Sequence, residues 1–407
     1  MAAQAASCVF LYGLPYLLPE LRNAYHLSLG AVSLLVSCPL LGVVLTLIAW
    51  GAAADRFGER IVISSGLVIA AAVLTGAAFT RSTVAAGVAL ACAGAGGASV
   101  NAASGRLVMG WFGPRERGLA MGARQTAQPL GTMIAAVLLP AVASAAGSGA
   151  GSGAGSSAGG VAAAMGTCAG LCFLTAVAVG LFTSDPPRKE STAPRASGAN
   201  PYRGSTMLWR IHAASTLLVV PQFVTTGFAL EYLVTQRGWT IIAAGRVLAG
   251  ANFAGALTRV AAGIWSDRVH SRLGPMRHLA MAITVVVGLT TIGAATRSAF
   301  SDVALLAAVA VSVSTNGLAF TAVAERAGVS WAGRALGVQN TAQNIAAAAT
   351  QPVCAELIGV AGYPASFGIT AIFPLVAALA IPRRTDAPTV GGSAIPVGAT
   401  PTALESG

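Results

Sequence analysis

Charge is what this sequence has least of. Only 9% of its 407 residues are Asp, Glu, Lys or Arg, while 55% are hydrophobic; a soluble domain carries about a quarter charged residues. A chain so poor in charge cannot dress a surface for water, which excludes a soluble enzyme or binding module and points to lipid as the solvent. Lysine is nearly missing, with Lys189 the single one among 24 basic residues. There is no Gly-Lys-Ser/Thr phosphate loop and no ATPase domain, so this chain alone does not draw on ATP. No His/Glu cluster with metal-ligand spacing falls in an apolar stretch, and no Ser or Cys stands in a nucleophile arrangement. Enzyme chemistry, metal and cofactor are therefore not expected. The six cysteines (Cys8, Cys38, Cys92, Cys168, Cys172 and Cys354) all lie in apolar stretches and read as small packing residues. The net charge of +11 is spread through short connectors, so nucleic acid is not an expected partner.

What is abundant is apolar sequence, with a mean hydropathy of +0.73. Stretches near the ~20 residues that cross a bilayer as a helix recur at 1–19, 30–52, 61–80, 83–109, 118–143, 161–182, 207–233, 240–263, 277–296, 301–324, 334–357 and 363–382. The first has no small-residue cleavage site after it and reads as a helix rather than a removed signal. The expected fold is all-α membrane, with twelve transmembrane helices in two pseudo-symmetric six-helix bundles, at 1–183 and 207–383. Residues 184–206, rich in Pro, Ser and charge, form the linker between them. Gly147–Gly160 is a Gly/Ser/Ala loop, and 384–407 reads as a disordered tail.

Basic residues set the orientation. Sixteen fall in one alternate set of connectors, among them Arg56, Arg60, Arg115, Arg117, Arg188 and Lys189; only Arg22, Arg81, Arg237 and Arg297 fall in the other. That places the linker and C-terminus in the cytoplasm of a bacterial cell, with the chain in the inner membrane.

Two matches reveal an internal repeat. Gly51-Ala-Ala-Ala-Asp55-Arg56 recurs as Gly263-Ile-Trp-Ser-Asp267-Arg268, an offset of 212 residues. Ala120-Met-Gly-Ala-Arg-Gln-Thr-Ala-Gln128 recurs as Ala335-Leu-Gly-Val-Gln-Asn-Thr-Ala-Gln343, with five identities in nine positions. Both halves therefore enter the membrane from the same side, as parallel repeats do in one known class of transporter. The stretch Gly51-Ala-Ala-Ala-Asp55-Arg56-Phe-Gly58-Glu-Arg60, between the second and third spans, resembles the cytoplasmic loop signature of the major facilitator superfamily. Gly263–Arg272 resembles its degenerate second copy. The resemblance covers residues 1 to about 383 and implies a secondary transporter working by alternating access, without naming a solute. In the motif, Gly51 and Gly263 suit close helix contact or a sharp turn. Asp55 and Asp267 can meet a helix N-terminus or an Arg. With Arg56 and Arg268 they would form a latch between two states, or else only solvate the loop and mark topology.

Polar side chains at membrane depth are costly and are functional candidates by default. Arg124, Gln125 and Gln128 fall in the fifth span, and Gln339, Asn340, Gln343 and Asn344 in the eleventh. Arg124 and Gln128 share one helix face, as do Gln339 and Gln343, and the repeat superposes the two faces. Gln128 lies about 15 Å deep, near the level where such transporters bind solute. Tyr12, Tyr16, Asn101, Gln222 and Asn316 are further cavity candidates. Arg246 lies about two turns inside the eighth span. Arg106, Arg259 and Arg326 lie within about a turn of predicted span ends, which favours gating or snorkelling over binding. The excess of membrane-level Arg over carboxylate favours an anionic solute.

Proton coupling would need His212, Glu231 or Glu356, all toward span ends. In the superfamily's proton antiporters the fourth span carries an Arg where Leu90 stands here. The fifth-span antiporter signature is only partly matched by Gln128-Pro129-Leu130-Gly131. These departures weaken the case for drug–proton antiport; symport and facilitated diffusion stay open. The leading expectation is a monomeric transporter of a small polar solute, with protons as the candidate coupling ion. Drug efflux and a non-transporting membrane sensor or assembly factor are the alternatives.

Overall fold

The computed structural model describes residues 1–111, 124–148, 154–185, 200–203, 205–328 and 331–382. Most of the expected linker, the tail, Arg115, Arg117, Arg188, Lys189 and the first residues of the 120–128 repeat lie outside the described residues. So do the side chains of Asp55 and Arg106.

Among the described residues the protein is entirely helical. The elements are α1 (Ala2–Gly13), α2 (Leu18–Tyr25), α3 (Leu29–Phe57), α4 (Glu59–Ala77), α5 (Thr83–Trp111), α6 (Ala127–Ser148), α7 (Ala154–Phe182), α8 (Met207–Thr235), α9 (Ile241–Arg268), α10 (Leu273–Ala295), α11 (Phe300–Ser312), α12 (Thr315–Ala327) and α13 (Ala332–Ala380). Ten stretches are long and apolar enough to cross a membrane. The last of them is two helices joined at Gly362, whose φ of 78° and ψ of 173° leave the helical region. The N-terminal rod is α1 and α2 joined by a 3-10 turn at Leu14–Leu17, with Pro15 in its first turn. Counted this way, the described residues form twelve rods, ten of the stretches meeting the length and hydropathy of a span.

Two boundaries differ from expectation with consequences for the site. The second and eighth spans do not stop at the loop motif; α3 runs to Phe57 and α9 to Arg268. The motif residues are helical, and their polarity had masked that. The tenth span is broken between α11 and α12, where Ser312, Ser314 and Thr315 offer side-chain hydroxyls that compete with helical hydrogen bonding. Ser314 Oγ indeed bonds the carbonyl of Val311 at 2.7 Å.

The repeat is written into the backbone as well. Ser28 caps α3 by accepting from the Ala31 N–H, and Thr240 caps α9 by accepting from Ala243, both at 3.2 Å and 212 residues apart. His26 (φ 52°) matches Gly238 (φ 71°), and Gly58 (φ 92°) matches His270 (φ 49°), at that same offset. Positive φ is unfavourable for a side-chain-bearing residue, so the turns were kept even where Gly was replaced.

Within the first half α3 packs on α5, and α4 on α5 and α7; within the second, α8 and α10 pack on α13. The halves meet through α3 against α13 and α6 against α9. The repeat maps α3 onto α9 and α6 onto the first part of α13, so these two contacts are one contact used twice. At the end bearing His26 and Gly238 the halves are pressed together. A Cβ added at Gly245 of α9 would stand 2.3 Å from the Ala136 carbonyl oxygen of α6, and Gly30 of α3 lies directly against the Glu356 carboxylate of α13. Toward the other end, here the motif end, α3 has no buried residue between Val43 and Ala54.

Candidate functional site

Midway along the rods, between the halves, lies a cavity of about 20 Å³, room for about one water. Its wall includes Tyr12, Gln128, Thr132, Gln222, Phe223, Asn252, Arg259 and Gln351. Tyr12 and Phe223 meet edge to face at 5.8 Å across the two halves. Apart from Pro129 and Val313, the rest of the wall is amide, hydroxyl and one guanidinium.

Arg259 is the decisive member. Because α9 continues to Arg268, Arg259 sits nine residues from the helix end, about 14 Å at 1.5 Å per residue. This corrects the expectation of a residue within a turn of the surface. It is 8% exposed. Its Nε donates to the Val313 carbonyl at 2.9 Å, Nη1 to the Gln125 carbonyl at 2.5 Å, and Nη2 to Gln128 Oε1 at 3.4 Å. Val313 follows α11 at the break, where its carbonyl is spared from a continuous helix, so the Ser/Thr-rich interruption supplies one of the three acceptors. All three are neutral, and no carboxylate among the described residues pairs with Arg259.

Asn252, which the sequence reading passed over, joins the halves beside it. Its Nδ2 donates to Tyr16 Oη at 2.7 Å and its Oδ1 accepts from Thr132 Oγ1 at 2.9 Å. An Asn in mid-span and a Thr four residues after Gln128 were signals available in the sequence. Gln351, also on the wall, was another.

The remaining candidates fall into separate groups. Arg124 is held inside the first half, donating to Ser104 Oγ at 2.9 Å, while Gln4 bridges Ser104 and Asn101 at 3.0 and 2.5 Å. Arg124 likewise has no carboxylate partner among the described residues. Gln339 and Gln343 do not face the cavity as Gln128 does; both donate to Ser215 Oγ of α8 at 2.6 Å. Gln343 is tied to the wall only indirectly, through Asn316, whose Nδ2 donates to Gln222 Oε1 at 2.9 Å. The two repeated faces superpose in sequence, but α8 offers a hydroxyl that captures one of them. His212 extends this chain, Nδ1 donating to Gln339 Oε1 at 2.5 Å and Nε2 meeting the Tyr202 hydroxyl at 3.0 Å. Asn344 donates to the carbonyl of Asn340 within its own helix. Arg246 is exposed on the stripe of Ile242, Phe253 and Leu257, away from the cavity. Glu356 is exposed, and Glu231 is 1% exposed and ion-paired with Arg22 across the halves.

At the motif end the described contacts stay within each half. Arg60 donates its main-chain N–H to Asp185 at 2.7 Å and its side chain to the Gly180 carbonyl. Arg56 lies over the Phe57 ring at 5.3 Å. Arg272 pairs with Asp267 and, at 3.2 Å, with Glu325; partial burial works against its proton, yet the two carboxylates hold its pKa above the ordinary value. A Cβ added at Gly51 or Gly263 meets nothing within 4 Å among the described residues, so neither is a close helix contact here. Arg268 is exposed.

The all-helical architecture with its internal repeat agrees with the comparisons. The model of the Major Facilitator Superfamily matches residues 1–351. The chain belongs to that superfamily. An uncharacterized MFS-type transporter of Mycobacterium tuberculosis H37Rv is 41% identical over 385 residues, covering 94% of this chain and 83% of that protein. Among solved structures, a bacterial homolog of the human lysosomal transporter Spinster, inward-facing and occupied, superposes with a TM-score of 0.76 at 14% identity, over 93% of this chain and 94% of that one. A D-xylose–proton symporter gives 0.74 at 16%, over 93% and 95%. The superfamily is one of membrane transporters, so this is a multi-span transporter.

Proposed function

We propose that this superfamily member carries a small polar solute with an anionic group, a carboxylate or phosphate, by alternating access through the central cavity. The observation that carries the reading is Arg259, buried on the cavity wall with neutral acceptors only. A guanidinium at membrane depth costs about 3 kcal/mol or more, and a solute anion would complete its coordination. Gln128, Gln222 and Asn252 supply further polar contacts, and Tyr12 with Phe223 an apolar rim. Arg124 adds positive potential from the first half. The asymmetry of basic connectors supports a bacterial inner-membrane protein with linker and C-terminus in the cytoplasm, so the motif end faces inward and the closed end faces out. Residues 1–183 and 207–383 then rock as two bodies. The Asp267–Arg272–Glu325 cluster, with its counterpart at Asp55 and Arg60, would latch the motif end in the other state. Hydrophobic drug efflux has less support, because the wall is mostly amide and hydroxyl.

The test is a flux screen of small carboxylates, phosphates, sugars and amines in proteoliposomes, with and without a pH gradient. Uptake of an acidic solute that Arg259→Gln abolishes supports the reading. Uptake confined to neutral or cationic solutes, unchanged by Arg259→Gln and Arg124→Gln, overturns it.

A further inference from the structure

A second and much larger cavity lies at the motif end, where α8 begins and α12 and α13 finish. Its volume is about 620 Å³, within the range of about 300–1,000 Å³ that ligand sites occupy, and solute passage between the halves makes no use of it. Arg210 of α8 and Arg326 of α12 stand on its wall with the hydroxyls of Ser205 and Thr206, and the wall holds no carboxylate. Arg210 Nε donates to the Ala380 carbonyl at 3.0 Å, which ties the start of α8 to the end of α13. Neither Nη of Arg210 has a partner among the described residues. Glu325, beside Arg326 in α12, is held by Arg272 at 3.2 Å.

The helix end adds to this charge. α8 has no acidic residue in its first turn and no side-chain cap at Thr206, so the positive end of its backbone dipole is uncompensated there. Two guanidiniums, two hydroxyls and a helix N-terminus around one space suit a phosphate, whose oxygens, spread over a tetrahedron, meet donors from several sides. Met207, Leu379 and Pro382 complete the wall, and Leu379 is exposed. With 29 residues, α8 is about 44 Å long at 1.5 Å per residue, against about 30 Å of hydrocarbon, so its first turn stands at head-group level. Trp209, exposed beside Arg210, is of a type that collects at that level. Phosphate donors at head-group level with an apolar lip at Leu379 match a phospholipid, whose acyl chains leave past that lip. Free phosphate gains nothing from the lip.

We propose that this cavity binds the phosphate of an anionic phospholipid, with Arg210 and Arg326 gripping the head group and Leu379 meeting the start of the acyl chains. Basic pockets between helices at the level of the head groups are suited to such lipids. The charge selects an anionic lipid over a zwitterionic one, because the wall offers two cations and no carboxylate for a choline or ethanolamine ammonium. Every residue on the wall lies between 205 and 382, so the site is complete within the second half. The inference needs only that the chain sits in a bilayer and is independent of which solute it carries.

The experiment needs no solute. The full chain, purified in detergent and stripped of lipid, is titrated with phosphatidylglycerol, cardiolipin or phosphatidylcholine, and bound lipid is counted by native mass spectrometry. The expected result is one saturable site for the anionic lipids, at least about tenfold tighter than for phosphatidylcholine. Arg210→Gln and Arg326→Gln should each weaken that site about fivefold. Arg210 is exposed, so its replacement leaves the fold standing, which helical circular dichroism and the unfolding midpoint check. Arg203→Gln removes the same charge near the same end from an exposed residue off the wall, and binding should stay near native. Inorganic phosphate, titrated alone by calorimetry, should bind at least about tenfold more weakly than the lipid, for want of the apolar contact. Equal affinity for phosphatidylcholine overturns the proposal, and so does an equal loss in Arg203→Gln and Arg210→Gln. Inorganic phosphate binding as tightly as the lipid assigns the site to a free anion and overturns it too.

Discussion

The central wall and the Arg237–Asp302 pair hold their guanidiniums in different ways. Arg259 has three neutral acceptors and no carboxylate partner among the described residues. Arg237 with Asp302 is balanced: Asp302 accepts from Arg237 Nε at 2.8 Å and from Trp239 Nε1 at 3.2 Å. Burying unpaired charge is expensive, so an imbalance persists where a missing partner arrives during function. In the proposed reading the centre lacks an anion that the solute supplies, and the balanced pair lacks nothing.

The largest test of that contrast is Arg259→Gln. Uptake of an acidic solute should drop by about 100-fold, since a desolvated anion left without its partner costs about 2–5 kcal/mol. The unfolding midpoint of the solute-free protein should hold or rise, because an uncompensated charge has been removed. Initial uptake rates and thermal unfolding together check both halves of the statement. Asp302→Ala should do the reverse, lowering stability by about 2–3 kcal/mol by stranding Arg237 while leaving solute affinity near native; denaturant titration and binding measure this. Gly245→Val puts a side chain where the Ala136 carbonyl stands 2.3 Å from the first added carbon. Overpacking of about 1–3 kcal/mol should hold the closed end apart and slow uptake by about tenfold, visible as a longer distance between nitroxide labels at Asn23→Cys and Gln236→Cys, both exposed and on opposite halves at this end. The smallest effect belongs to Gly263→Ala, where space is open. It should stabilise α9 by about 0.5–1 kcal/mol and leave the solute-free label distances at the closed end unchanged.

Much of this was readable in the chain itself. Hydrophobic runs dictate the rods because a backbone in lipid must satisfy its own hydrogen bonds, and the offset of 212 residues dictates their parallel pairing. Tyr12, Gln128 and Gln222 reach the cavity wall because polarity at mid-span is costly enough to signal a destination. Tertiary structure decided what those signals meet. Gln128 and Gln343 occupy equivalent positions, yet Ser215 draws Gln343 and its neighbour Gln339 into the second half while Gln128 stays on the wall. The depth of Arg259 depended on five more helical residues after 263, whose polar motif conceals that they continue the helix. The pairing of Arg22 with Glu231, 209 residues apart, follows no local rule. Helix position is set by local periodicity and solvent, whereas charge balance is set by which distant rods touch, and only packing decides that.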